Sequence, residues 1–405
     1  MEESELPPIP DLPDSIIEDK DGSLVEDVQV GQIQRFSMLD DDIQGLRTLI
    51  AALSFVAILL TAAVVGVTLR NWLQDEIDAV ASEQLKTRAA KYDALVQFDQ
   101  VGDFTGDGVL VCIVDSGIDL THPDINHVTL RGWKDFIGNN PNPYDDHGHG
   151  TAMAGILVAD GQLVGKARGV GLLVAKALGG EGQGSDEGVA NAIDWCVSEG
   201  AEVISLSLGG APGILPAQFQ GDGAAASARA AVDQGVFVIA AAGNDGQDQN
   251  DDDVDSPGSE ENVICVGGVN DVGSPWVGSS KGDNNGRFFS LPIILPRNDP
   301  DKKPELVAPA ERVPIVMIGG GWGVADGTSA ATVYVSGAIA LLLEGRPDLQ
   351  RNGSAGGQQA VEDVKLWIQQ SVKPRDGQDG HDEKYGYGLL QVAELIDRAG
   401  AQVPE

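Results

Sequence analysis

From about residue 101 onward, short apolar runs rich in Val and Ile alternate with helical patterns and glycine-rich turns. The runs are GVLVCIV (108–114), LLVAKAL (172–178), AEVISLSL (201–208), GVFVIAAA (235–242) and NVICVGGV (262–269). Between them, SDEGVANAIDWCVSEG and GAAASARAAVDQG carry helical spacing. Strands that are apolar almost without a break need cover on both faces, which a parallel sheet flanked by helices provides. The pattern therefore predicts a doubly wound α/β layer, with any chemistry at strand ends and in the loops that follow them. At 405 residues and 42% hydrophobic, the chain has enough material for one large domain or two medium ones.

Ahead of this region the texture differs. Residues 1–47 are rich in Asp, Glu and Pro and poor in large apolar residues, the composition of a disordered tail. TLIAALSFVAILLTAAVVGVTL (48–69) holds no charge and lies between Arg47 and Arg70. At about 1.5 Å per residue it crosses a hydrocarbon layer of roughly 30 Å, so it predicts a single transmembrane helix and a lipid bilayer as partner. A buried core helix is the competing reading, and the run is too long and too late for a cleaved signal peptide. Arg35 and Arg47 before the run and Arg70, Lys86 and Arg88 after it do not fix the orientation; the extracytoplasmic side is preferred for the remainder. Residues 70–100 read as an amphipathic helical stalk, with Leu73, Ile77, Val80, Leu85 and Leu95 amid charges. Residues 101–400 form the α/β domain.

Acidic residues outnumber basic ones 62 to 26, a net charge of −36, which excludes nucleic acid as a partner because phosphate binding needs clustered Lys and Arg. Self-repulsion on this scale is relieved by screening, so the composition suits a salt-rich setting. Cys112, Cys196 and Cys265 are widely spaced, odd in number and set among apolar residues; they read as buried free thiols.

Four segments place chemically able side chains at strand ends or helix starts. VCIVDSGIDLTHPDI puts Asp115 where an apolar run meets a tight turn, a position that also suits a turn or capping residue. YDDHGHGTAMAGILVA puts His149 before an apolar helix, with His147, Asp145 and Asp146 nearby. A short loop rarely supplies three convergent metal ligands, so no metal site is expected. VIAAAGNDG puts Asn244 after a strand, where its amide can donate to an oxyanion or steady a turn. ADGTSAATVYVSGAIALLL puts Ser329 at the head of a buried helix, either as its cap or as a nucleophile. Together an Asp, a His, an Asn and a Ser supply orienter, base, oxyanion donor and nucleophile, in the chain order Asp, His, Ser.

On these motifs residues 107–397 resemble the subtilisin-like serine proteases, the subtilases. SLSLGG (205–210), SPGSEENVICVGGV (256–269), KPELVAPA (303–310) and YGYGLLQVAELI (385–396) extend the likeness. The resemblance implies a subtilisin-like fold and a serine endopeptidase acting on peptide or protein substrates without a required cofactor. Ser329 would attack the carbonyl, His149 take its proton, Asp115 hold the imidazole, and Asn244 with the Ser329 N–H stabilise the oxyanion. It further implies a specificity pocket between Ser207, Leu208 and Gly209 on one side and Ala241, Ala242 and Gly243 on the other. Asp255 would stand at its floor and Asp245 at its rim, favouring Lys or Arg before the scissile bond.

The sequence departs from the family in three ways. Ala330-Ala331-Thr332-Val333 stands where Met-Ala-Thr-Pro is usual, which removes a proline from the helix start but no catalytic group. Asp124 in HPDI matches a family calcium ligand, yet ILVADGQLVGKARGVG is short beside the usual calcium loop, so a structural calcium ion is not favoured. No folding prodomain is evident between the apolar run and the domain. A catalytically silent, membrane-tethered peptide-binding module and an esterase are the competing functions; the complete set Asp115, His149, Asn244 and Ser329 argues for catalysis, and strand-like pocket walls for peptides.

Overall fold

The computed structural model describes residues 81–401 apart from 210–222, 248–252 and parts of 283–296, together with short stretches between residues 45 and 65. Its centre is a seven-stranded sheet. The strands are β1 (Leu110–Asp115), β2 (Gly132–Asp135), β3 (Gly171–Lys176), β4 (Val203–Leu206), β5 (Phe237–Ala241), β6 (Ile264–Val269) and, after a small antiparallel pair β7 (Arg287–Phe288) and β8 (Leu291–Pro292), β9 (Leu306–Pro309). They lie in the order β2-β3-β1-β4-β5-β6-β9, and every neighbouring pair is parallel. A hairpin of β10 (Val313–Val316) and β11 (Trp322–Ala325) stands outside the sheet.

Among the described residues seven α-helices flank the sheet: α1 (Glu83–Leu95), α2 (His149–Val158), α3 (Asp186–Ser198), α4 (Gly223–Asp233), α5 (Thr328–Gly345), α6 (Gln358–Ser371) and α7 (Val392–Ala399). α2 and α5 pack on each other and on the strands, while α3 and α4 form a second paired layer. The predicted doubly wound layer is therefore present, and its logic is visible in burial: β4, β5 and β6 are buried at every position. The strand order reverses at β1, with β3 on one side and β4 on the other. Such a reversal opens a crevice at the carboxyl ends of the strands.

α5 is largely apolar because it runs through the core, from Thr328 to Glu344 buried at all but one position. Among the described residues it is the helix long and apolar enough to cross a membrane, and its burial accounts for that composition. The apolar run at 48–69 is described only in part; those positions are helical, with side chains such as Leu53 (60%) and Phe55 (62%) exposed. The tail at 1–44 and the start of the stalk fall outside the described residues.

Three sequence expectations need correction. The supposed stalk is helical over Glu83–Leu95, but Tyr92 and Val96 are fully buried in the domain core. Asp93 also pairs with Lys166, so α1 is part of the α/β domain; its charges mask a docking face only a few residues wide. Cys112 and Cys196 are not free thiols: they form a disulfide, leaving Cys265 as the buried free cysteine. The partners are 84 positions apart, and only the packing of α3 against β1 brings their Cα atoms to 5.9 Å. Finally, β2, β9 and the hairpin lie outside the five apolar runs: GWKD and WGVA lack a continuous apolar stretch, and proline interrupts or ends VPIV and LVAP.

Candidate active site

Asp115 is the last residue of β1 and is fully buried. Its Oδ1 accepts from the Ser116 N–H at 2.7 Å. His149 opens α2, and its Nδ1 lies 2.8 and 2.9 Å from the two carboxylate oxygens. A carboxylate can only accept here, so Nδ1 carries the proton and Nε2 keeps a lone pair for a base's work. Glycine makes the approach feasible. A Cβ at Gly150 would fall 2.2 Å from the Gly117 carbonyl oxygen, so only a bare backbone lets α2 start against the turn after β1.

Asp145, which sequence reasoning considered only as a metal ligand, holds this junction together. Its Oδ1 accepts from the His147 N–H (3.0 Å), the Gly148 N–H (2.8 Å) and the Ser116 hydroxyl (2.9 Å). Its Oδ2 accepts from the Thr151 N–H (2.9 Å) and hydroxyl (2.6 Å). The residue preceding α2, Gly148, has no side chain to cap the helix, so Asp145 supplies the acceptor and the favourable negative charge at that end. Burial pushes the Asp145 pKa up, but the bonds from Thr151, Gly148 and His147 outweigh it and leave it lowered. At His149, burial opposes the charged ring, yet the charge and hydrogen bond of Asp115, with a further contribution from Asp145, prevail and raise its pKa above the ordinary value.

Ser329 is not the cap of α5; the capping position is Gly327, with no side-chain bond. Its hydroxyl donates to the Ser207 carbonyl oxygen at 3.0 Å, and the Ser207 hydroxyl returns a bond to the Ser329 carbonyl at 3.1 Å. Catalytic alignment requires the side chain to turn from Ser207 toward His149, with which it shares a cleft. Asn244 follows β5, and its Oδ1 accepts from the Thr328 N–H (2.9 Å) and hydroxyl (3.1 Å). That arrangement turns its amide nitrogen outward. A Cβ built on Gly327 would lie 3.7 Å from Asn244 Nδ2 and 3.8 Å from both Asn244 Oδ1 and the Ser329 nitrogen, so the Asn244 amide and the start of α5 border the same small space.

The cleft has a volume of about 910 Å³ and is lined by His149, Ser329 and Asn244 together with Ser207, Leu208, Gly209, Ala241, Gly243, Asp245 and Asp255. Ala242 does not line it: this residue is fully buried, and the two-residue alternation of extended backbone turns its side chain away from Ala241's face. Asp255 sits against both pocket walls. A Cβ on Gly209 or Gly243 would each lie 2.6 Å from Asp255 Oδ2, so the carboxylate fills the gap between these two backbones.

The family model described as "Subtilase family" matches residues 106–388. This chain belongs to the subtilases. Among curated relatives, Subtilisin NAT of Bacillus subtilis subsp. natto is 33% identical over 248 residues, covering 60% of this chain and 58% of that protein. The subtilisin of Bacillus pumilus is also 33% identical over 248 residues, covering 60% of this chain and 80% of the relative. The match thus spans little more than half the length of the first of these. The protease domain of PatA shares the fold, with TM-score 0.59, 23% identity, and coverage of 74% of this chain and 98% of that one. A cold adapted subtilisin-like serine proteinase does so with TM-score 0.55 and 23% identity, over 72% of this chain and 90% of that one.

Asp124 is the calcium ligand that the subtilase likeness suggests. Its Oδ1 accepts from the Gln162 N–H (2.9 Å); its Oδ2 accepts from the Leu163 N–H (2.8 Å) and the Trp322 indole N–H (2.8 Å). N–H protons aimed at both oxygens occupy the directions from which a cation would bind, and calcium takes 6–8 oxygen ligands. The residues around Asp124 do not fit that ion. Among the described residues no group of three or more His, Cys, Asp or Glu is arranged to hold a metal.

Proposed function

We propose that this subtilase is a membrane-anchored serine endopeptidase that cleaves after Lys or Arg. The observation that carries the catalytic part is the Asp115–His149 pair opening on the same cleft as Ser329 and Asn244. Ser329 Oγ attacks the peptide carbonyl carbon while its proton passes to His149 Nε2, and Asp115 stabilises the imidazolium that results. The carbonyl oxygen, now negative, takes hydrogen bonds from Asn244 Nδ2 and the Ser329 N–H. Collapse breaks the C–N bond, and His149 returns the proton to the departing amine. Water then repeats the sequence on the acyl-enzyme, with His149 again as base.

The specificity part rests on Asp255. A carboxylate pressed between Gly209 and Gly243 leaves an otherwise small-walled pocket with negative charge at its floor, and Asp245 adds a second carboxylate to the cleft. A cationic side chain before the scissile bond complements both, as in trypsin's pocket. Peptides differing only at that position test this: Lys and Arg are expected to exceed Leu and Phe in kcat/KM, and Asp255→Ser to erase the preference. A wild-type preference for Leu or Phe would refute it.

Anchoring rests on the uncharged run at 48–69. The Cys112–Cys196 disulfide supports placing the domain on an oxidising, extracytoplasmic side, since reducing cytosol keeps such thiols apart. Retention of the chain in carbonate-washed membranes, with the domain open to protease added outside intact cells, is the expected result. Release by carbonate would contradict the anchor.

A further inference from the structure

The mechanism leaves unused a group of charged side chains buried behind the pocket floor. Lys303, Glu305 and Lys365 are all but sealed from solvent. Glu305 Oε1 meets the Lys303 ammonium at 2.7 Å and the Lys365 ammonium at 3.0 Å, and Lys365 also pairs with Asp301 at 2.6 Å. Taking two ammonium groups out of water is costly, and apolar residues of similar volume often stabilise a core as well or better, so stability alone does not account for the cluster. Its remaining bonds converge on one loop. Lys303 donates to the Val263 carbonyl and, at 3.2 Å, to the Glu261 carbonyl; Lys365 also donates to Glu261, and Arg297 donates to the Ser259 carbonyl at 2.6 Å. Three cations therefore hold alternate carbonyls, those of Ser259, Glu261 and Val263, in the segment that begins at Asp255.

We propose that Lys303, paired with Glu305, is a positioning residue for Asp255: it holds the loop at 255–263 so that the carboxylate stays at the pocket floor. The proposal rests on the reading above of Asp255 as the residue that selects Lys or Arg. Two routes carry the constraint. Along the chain, Asp255 donates its N–H to the Ala242 carbonyl, and its own carbonyl accepts from the Ser259 N–H, both at 2.8 Å. Through space, Cys265 packs with Ala242 and Val254 in a small buried cluster, and a Cβ at Gly258 would lie 3.2 Å from its Sγ, so the loop rests on this thiol. Glu305 fixes Cys265 twice: its Oε2 accepts from the Cys265 N–H at 2.8 Å, and its N–H donates to the Cys265 carbonyl at 3.0 Å. Loss of the Lys303 ammonium leaves Glu305 with Lys365 alone and loosens the loop at Val263, which lets Asp255 shift from its place between Gly209 and Gly243.

The test uses the full chain in detergent below the pH at which Lys303 loses its proton, burial having lowered its pKa to about 8. Two quenched peptides differ only in Arg or Leu before the scissile bond, and a fluorophosphonate probe counts active sites. Lys303→Met should lower kcat/KM for the Arg peptide about tenfold or more and leave that for the Leu peptide within about twofold, whereas a general loss of structure would lower both alike. Removing one partner of a buried pair is strongly destabilising, so Lys303→Met combined with Glu305→Gln removes both charges together, and the same outcome is expected of it. Hydrogen exchange on the wild type needs no variant: the Asp255 and Ser259 amides should exchange within about tenfold of the Cys265 amide, as one unit. An equal change for both peptides, an undiminished Arg preference in either labelled variant, or Asp255 and Ser259 exchanging far faster than Cys265 would overturn the proposal. A labelled wild type with no preference for Arg would overturn the specificity reading and the proposal with it, and a wild type that takes no label would overturn the endopeptidase reading itself.

Discussion

His149 answers to two opposing demands. Burial disfavours its charged form, and Asp115 favours it strongly enough to raise the pKa above 6.5. A group with a raised folded-state pKa contributes stability fully below its unfolded value, and that contribution disappears as pH rises through the folded value. The base is active only when neutral. The rate should therefore climb with pH through a midpoint above 6.5, over the range where the ion pair's stabilisation is being lost. Asp115→Asn removes the charge that raises the pKa, so a pH profile of kcat/KM should show a lower midpoint, and kcat should fall about 10⁴-fold, as for the equivalent loss in other such triads. In the proposed mechanism Asn244 acts on the oxyanion and not on the bound substrate. Asn244→Ala should lower kcat about 10²–10³-fold with KM little changed, checked by steady-state kinetics on one peptide.

At the scale of elements, the junctions between strands and helices are set by side chains that meet only in three dimensions. The Asp124 network joins the turn at His122–Asp124, the loop at 161–163 and Trp322 of β11 through N–H donors. A chelator should leave the thermal midpoint of the domain unchanged, whereas Trp322→Phe, which strands one acceptor of a buried carboxylate, should lower it, by about 1–3 kcal/mol in stability. Differential scanning calorimetry reads both. The sheet was legible in the sequence because strands covered on both faces announce themselves as apolar runs, and Asp115, His149, Asn244 and Ser329 because each stands at the end of such a run or the head of a helix. Tyr92, the Cys112–Cys196 bond and Asp145 were not. Their roles depend on which distant segment packs beside them, and neither periodicity nor spacing along the chain encodes that. Ala242 was misassigned for the converse reason, a contiguous motif having been read where alternate residues face opposite ways.

For the whole molecule, charge is the dominant fact. A net charge of −36 repels itself, and molar salt screens that repulsion over distances of about 3 Å. The melting temperature of the detergent-solubilised chain should rise steadily as KCl is raised from low to molar concentration; a fall would mean that attractive pairs such as Arg229–Glu260 outweigh the repulsion. Tethering by residues 48–69 would confine an enzyme of this kind to substrates near the bilayer, which fits selective processing better than digestion. The proposed chemistry requires above all that the folded domain activate one serine. The most direct test is fluorophosphonate labelling of the purified wild type beside Ser329→Ala and His149→Ala. Labelling of the wild type that vanishes in both variants is expected; a folded wild type that takes up no probe would contradict an activated Ser329 and leave a peptide-binding module on a protease fold.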